Sequence, residues 1–350
     1  MDCFPRWHNV LILMIAQFIL HYPAFNNQVH NRSNPLSASD DLPIIFSMLH
    51  ATSDIEAKWG DGEWVTIQAS ARGTYTVTLP AVSGQKTLIV RPVDYPSLAV
   101  TRTMIGIGDV FLIAGQSNAS GRGTNSQSWS HATLTAMMYA NDYTWKTLAD
   151  PADSNTGILD TVTQESGLTP PAGTMYPIIA TDVMAVTGCP VAFIPTAMGN
   201  TTIAQWARPA SQPYQKRSTL YGQSISRVYW AAGVRLTQNA CRYVIWWQGE
   251  GDTVSLTEEQ YRTALKTLAD GYVADIGAKL IATRLQQTTA GSIETVNTAI
   301  VNAAGENANV LVGADLSDLA SDDDAHLKTD LKVQTAGQRT AAVIVAAMGY

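Results

Sequence analysis

Residues 109–123 read DVFLIAGQSNASGRG. An apolar run, Asp109 to Ala114, breaks off at Gly115 and leaves Ser117 between Gln116 and Asn118, with glycines on both sides. A serine presented where a buried strand ends is a candidate nucleophile. Acyl transfer by such a hydroxyl also needs a base, an acid to orient that base, and hydrogen-bond donors where negative charge develops. The six histidines limit the choice of base. His8, His21 and His30 lie in the N-terminal segment, His50 lies in a β-rich stretch, and His131 has no neighbouring acid. His326 stands in SDDDAHLKTD, with Asp322, Asp323 and Asp324 ahead of it. On a single turn the residue three positions earlier comes back alongside. Asp323 can then accept from Nδ1–H and leave Nε2 facing the serine. Asp324 fits only an extended loop, and Asp322 is expected to be solvated. Candidate oxyanion donors are the N–H of Ser117, the backbone at Gly199 in PTAMGNTTIAQW, and the Gln248 amide in IWWQGEGDT. The elbow G-x-S-x-G is absent, because Ala119 stands at its second glycine, so the nucleophile sits on a loop rather than a strained elbow.

For these residues to meet, the chain must bring separate loops to one place. Apolar strand candidates DVFLIA, PVAFIPT (190–196), RYVIWWQ (242–248), KLIATRL (279–285) and NVLVGADL (309–316) alternate with helical stretches. The helices are expected at Met175–Val186, Ser218–Leu236, Thr257–Ile276, Ile293–Ala304 and from about Asp330 onward. Continuous apolar strands alternating with helices imply a parallel sheet covered on both faces. Ligands bind such sheets beyond the carboxyl ends of the strands, where Ser117, Gly199, Gln248 and the aspartate run all lie. Ahead of this domain, EWVTIQA, GTYTVTLP and KTLIVRPV show period-two patterning between glycine turns, which predicts a small antiparallel β domain over 42–105. The polar stretch 26–41 reads as a linker. Val10 to Leu20 is apolar and too short to span a bilayer comfortably, so residues 1–25 suit a signal peptide or anchor and a secreted, cell-surface or virion-associated protein.

The 350 residues favour two domains, here divided at 105/106. A net charge of −7 with no basic block argues against nucleic acid or anionic membrane as partner. Three cysteines without metal-type spacing read as buried thiols at Cys189 and Cys241, and scarce histidine removes zinc constellations. No metal or other cofactor is called for.

AGQSNASGRG, AMGNTTIAQW, WWQGEGD and DDAHL followed by GQR occur in this order over about 105–348. In them the chain resembles the SGNH hydrolases, and within those the sialate O-acetylesterase and acetylxylan esterase group. The resemblance implies a three-layer α/β/α domain of flavodoxin-like type. It implies Ser117 as nucleophile, His326 as base and Asp323 as its orienting acid, with Ser117, Gly199 and Gln248 forming the oxyanion hole. Gln116, Asn118, Arg122, Asn200 and Glu250 would support that site. Asn200 stands where the family usually has a second glycine. Arg122 and Glu250 trail the first and third motifs, a placement that predicts an ion pair across the loops. Trp206, seven residues past Gly199, is a candidate to stack on a sugar ring. The expected activity is metal-independent removal of O-acetyl groups from sialic acid, xylan or a bacterial polysaccharide. A carbohydrate-binding or virion-fibre protein with little catalysis is the competing reading, and the intact Ser, His, Asp and Gln set argues against it. A lipase or thioesterase would need an apolar groove, for which no extra apolar helix is available.

Overall fold

One strand of 16 residues, Val100–Gly115, runs through both halves of the molecule. The computed structural model describes residues 16–350 except 38, 51–52, 69–72, 83, 165–171, 212–215, 234–238 and 290. In chain order the described strands are β1 (Gln17–Tyr22), β2 (Val29–Asn31), β3 (Ser39–Leu49), β4 (Ile55–Trp59), β5 (Val65–Ile67), β6 (Gly73–Val82), β7 (Gly84–Pro92), the long β8, β9 (Met137–Tyr139), β10 (Trp145–Thr147), β11 (Val191–Pro195), β12 (Tyr243–Trp247), β13 (Lys279–Arg284) and β14 (Val310–Asp315). The α-helices are α1 (Ser117–Ser120), α2 (Tyr176–Thr187), α3 (Leu220–Ala231), α4 (Glu258–Ile276), α5 (Glu294–Glu306) and α6 (Asp330–Met348).

The second half of β8 lies between β11 and β12, paired in parallel with both, and the sheet continues through β13 to β14. Numbered within the domain, these five parallel strands follow the order 2-1-3-4-5, the flavodoxin-like order, whose crevice opens where the chain reverses direction beside strand one. That strand is β8, which ends at Gly115, two residues before Ser117. Helices α2 and α6 pack together on one face, while α3, α4 and α5 cover the other. The strands are buried on both faces, so their sequences are continuously apolar, as in YVIWW and VAFIP. Local signals set the helix ends. Thr257 and Gln260 form a reciprocal capping box at the start of α4, and Gly277 closes it in the left-handed conformation.

The first half of β8 belongs to the β-rich half. β7 pairs with it antiparallel, and β4 and β5 follow, while β1, β3 and β6 form a separate antiparallel sheet. Leu42, Ile44, Phe46, Leu88, Val90, Ile105 and Ile107 form one core; Phe111, Ile113, Phe193, Ile245 and Ile281 belong to another. The described residues thus form two hydrophobic cores, and the 105/106 boundary falls inside one continuous strand. An additional hairpin, β9 and β10, extends the larger sheet beyond β11.

The stretch 26–41 is no linker. Val29–Asn31 pairs in parallel with Gly106–Gly108, and Ser39 already begins β3. Three of its polar residues, Gln28, Asn31 and Arg32, are buried and paired. Arg32, 1% exposed, meets Asp109 at 2.8 Å, and the Asn31 amide group bonds to Val110 N and Asn239 O. Of the segment read as a leader or anchor, residues 1–15 lie outside the described residues, whereas Gln17–Tyr22 pairs with β3 and buries Leu20 and Tyr22. Cys189 and Cys241 are buried thiols; Arg32 Nη1 donates to Cys189 Sγ at 3.0 Å, and burial pushes the Cys241 thiol up to about 12.

Candidate active site

At the end of β8 the chain must turn directly under β12, and Gly115 makes this possible. Its φ is +129°, and a Cβ there would lie 2.1 Å from the Trp247 carbonyl oxygen. Gln116 N then donates to that same carbonyl at 2.9 Å, and Ser117 opens the four-residue helix α1. Tyr176 from α2 donates to Ala119 O at 2.6 Å and fixes the turn from below.

The histidine arrives from the loop between β14 and α6. Asp323 Oδ1 accepts from the amides of Ala325 and His326, at 2.9 and 2.8 Å, while Asp322 N donates to His326 O. This closed turn places Asp323 Oδ2 3.0 Å from His326 Nδ1 and His326 Nε2 2.8 Å from Ser117 Oγ. Three groups from two distant segments thus lie in line. Partial burial opposes the Asp323 charge, but Lys328 Nζ, 2.6 Å from Oδ2, and the loop's hydrogen bonds hold the carboxyl far below the usual carboxylate range.

The second and third motifs meet beside Ser117. Met198 N donates to Gly115 O at 3.0 Å, bringing the Gly199 loop against the strand end. Asn200 has φ +56°, the left-handed region that glycine and asparagine adopt most readily.

Residues 107–346 match the family model described as carbohydrate esterase, sialic acid-specific acetylesterase. The chain belongs to this carbohydrate esterase family. It is a carboxylic ester hydrolase by that membership. Among solved structures it is similar to XAC1771, a carbohydrate acetylesterase from Xanthomonas citri, with 20% identity and a TM-score of 0.57 over 91% of this chain and 72% of that one. A protein of Arabidopsis thaliana shares 19% identity with a TM-score of 0.52 over 69% of this chain and 97% of its own. No curated protein matches this chain in sequence.

Within this family member, several supporting residues act otherwise than expected. Gln248 is fully buried, and its amide nitrogen lies 2.6 Å from Asp252 Oδ2, 2.9 Å from Thr201 O and 3.2 Å from Gln116 Oε1. Two hydrogens facing three acceptors are already spent. The side chain expected at the oxyanion instead ties the 199–203 loop to β12, helped by Asp252 accepting from Ile203 N at 2.8 Å. Trp206 is 0% exposed and packs edge-on against Trp246, 5.3 Å between centroids, so it offers no face to a sugar. The capping box of Thr202 and Gln205 turns it inward. None of the described ion pairs joins Arg122 to Glu250. Both are buried; Arg122 Nη1 donates to Gly121 O at 2.7 Å, whereas Glu250 Oε1 accepts from Asn118 at 2.6 Å and Gln286 at 3.2 Å. Burial raises the Glu250 carboxyl above its ordinary range, against those two hydrogen bonds. Asp322 is not simply solvated, since it accepts from the amides of Lys328 and Thr329 and pairs with Lys332. Asp324 receives the Thr289 hydroxyl at 3.0 Å.

Sequence reasoning missed Gln286, Thr201, Asp252 and Lys328. Gln286 had a signal, a polar pair QQ directly after the apolar strand KLIATRL and therefore at the site's end of the sheet. Among the described residues no group of three or more His, Cys, Asp and Glu side chains is placed to hold a metal ion, and no helix is long and apolar enough to cross a membrane.

Proposed function

We propose that the protein removes O-acetyl groups from carbohydrate by double displacement at Ser117. The observation that carries this reading is the line from Asp323 through His326 to Ser117, with separations of 3.0 and 2.8 Å. Ser117 Oγ attacks the acetyl carbonyl carbon while His326 Nε2 takes its proton. Asp323 stays ionised, fixes the imidazole tautomer and stabilises the imidazolium. The tetrahedral oxyanion is held by backbone donors, the N–H of Ser117 in the first turn of α1 and the N–H of Gly199 on the adjoining loop. The sugar oxygen leaves with the proton that His326 returns. Water, deprotonated by the same histidine, then attacks the acetyl-serine; the bond to Oγ breaks as His326 returns the proton to Ser117, and acetate departs. Every step uses groups of this chain, with no metal ion. The family's description puts O-acetylated sialic acid first among the substrates to try, ahead of acetylated xylan and O-acetylated bacterial polysaccharide.

Ser117→Ala is expected to remove acetyl-ester hydrolysis by several orders of magnitude with the fold intact. A serine-directed fluorophosphonate should label wild type at Ser117 alone. Acetate release, compared across the three glycans, identifies the sugar. Turnover of the alanine variant at the wild-type rate would end the assignment.

A further inference from the structure

Beside the serine and histidine lies a closed ring of hydrogen bonds. Asn118 Nδ2 donates to Glu250 Oε1 at 2.6 Å and to Ala325 O at 3.0 Å. Gln286 Nε2 donates to the same two oxygens, at 3.2 and 2.5 Å. Two amide groups therefore bridge one carboxylate oxygen and one backbone carbonyl, and each spends both of its hydrogens inside the ring. Their orientation is fixed from outside. Asn118 Oδ1 accepts from Leu327 N at 3.2 Å, and Gln286 Oε1 accepts from Trp247 Nε1 at 3.2 Å. A flipped amide would set oxygen against oxygen.

What the ring holds gives it a role. Ala325 and Leu327 are the residues on either side of His326, so the backbone that carries the base is held there on both flanks. The anchors come from three elements: α1 through Asn118, the end of β12 through Glu250, and the end of β13 through Gln286. Gln286 is 0% exposed and Glu250 4%. Asn118, Glu250, Gln286 and Leu327 are all buried, so a hydrogen bond left unmade among them is costly.

We infer that Gln286 is a positioning residue of the reaction, which with Asn118 and Glu250 sets the position of His326 over Ser117. It touches neither substrate nor the reacting atoms; it acts through the Ala325 carbonyl. The inference rests on the esterase reading for its rate effect, but the placement of His326 can be observed without turnover.

Gln286→Leu keeps a side chain of similar bulk and loses both donors. On a small acetyl ester, kcat is expected to fall roughly 10²-fold, the scale for reacting groups displaced by about an ångström. KM should stay within about twofold, because no binding group is removed. Glu250→Gln, which keeps an oxygen for both donors, should retain most of the rate, whereas Glu250→Leu should lose it as Gln286→Leu does. Combining the two leucine changes should cost little more than either alone. The independent readout is the low-field proton resonance of His326 Nδ1–H bound to Asp323. It should be present in wild type and in Ser117→Ala, and lost or broadened in Gln286→Leu. Should the leucine variant fail to fold, Gln286→Met carries the same test. An unchanged kcat in a folded Gln286 variant, or an unchanged His326 resonance, would overturn the inference. A wild type without ester hydrolysis, but with the resonance lost in the variant, would overturn the esterase reading and uphold the placement of His326 by Gln286.

Discussion

Asp323 Oδ2 meets two donors at once, His326 Nδ1 at 3.0 Å and Lys328 Nζ at 2.6 Å. The lysine is not among the serine, histidine and aspartate that we propose carry the reaction, yet it helps keep the carboxyl ionised against partial burial. The direction of its effect on stability follows. A carboxyl held low in the folded state stabilises the fold above its unfolded pKa, about 3.9. That contribution is lost as pH falls through the lower folded value. Lys328→Met is therefore expected to let the Asp323 titration drift up toward the ordinary range, so that acid loosening of the His326 loop begins at higher pH. Carboxyl-carbon NMR across an acid titration measures it. The side chains are 40% and 34% exposed, so salt should shrink the difference. An Asp323 titration unmoved by the substitution would return the lysine to solvent. The contact of Asp323 with His326 was legible in the sequence because a three-residue return on a tight turn is a local property. Trp206 was not, because a tryptophan four residues past Thr202 faces out or in according to one capping box, and that turn aims it at Trp246.

The strands of the larger domain could be read from composition because burial on both faces leaves no polar position to blur the run. The loops at their ends could not, since their direction depends on partners from other segments. Gln248 shows the consequence. Its place at a strand end beside Ser117, the proposed nucleophile, is what an oxyanion donor would have, but the 199–203 loop and Asp252 claim its hydrogens. Gln248→Ala separates the two roles. As a loop anchor it should leave Thr201 O unpaired in a buried site, and Asp252 with Ile203 N as its remaining donor, and cost about 1–3 kcal/mol of stability, with kcat falling as Gly199 loosens. As a direct donor it would cost 10²–10³ in kcat with stability scarcely changed. Urea midpoints measured beside kcat decide it, and the hydrogen bonds predict that both fall together.

Because β8 serves two cores, the β-rich half and the catalytic half are joined by a covalent strand and also by charge. Asp109 lies where β8 passes from one core to the other. Its carboxylate is fully buried and accepts from Arg32, out of the segment read as a linker, and from Arg242, which opens β12. Arg242 also donates to Arg32 O, so three segments close around one carboxylate. Their sequence separations, 77 and 133, explain why this junction was invisible in the sequence while each core on its own was not. Such a cluster is a weak source of net stability when intact, but removing its one acid leaves two arginines uncompensated. Asp109→Ala is therefore expected to cost about 3–5 kcal/mol. The loss should be shared, because neither core keeps its half of β8 in place alone. Urea unfolding followed by tryptophan fluorescence, in a background where Trp7, Trp59 and Trp64 are replaced by phenylalanine so that the remaining tryptophans lie in the catalytic half, and by far-ultraviolet circular dichroism for the whole chain should give coincident transitions with and without the Asp109 substitution, both shifted to lower urea by it. A β-rich half that melts first while the tryptophans of the catalytic half keep their wild-type midpoint would show that Asp109 secures only the N-terminal segment and that the two cores fold independently.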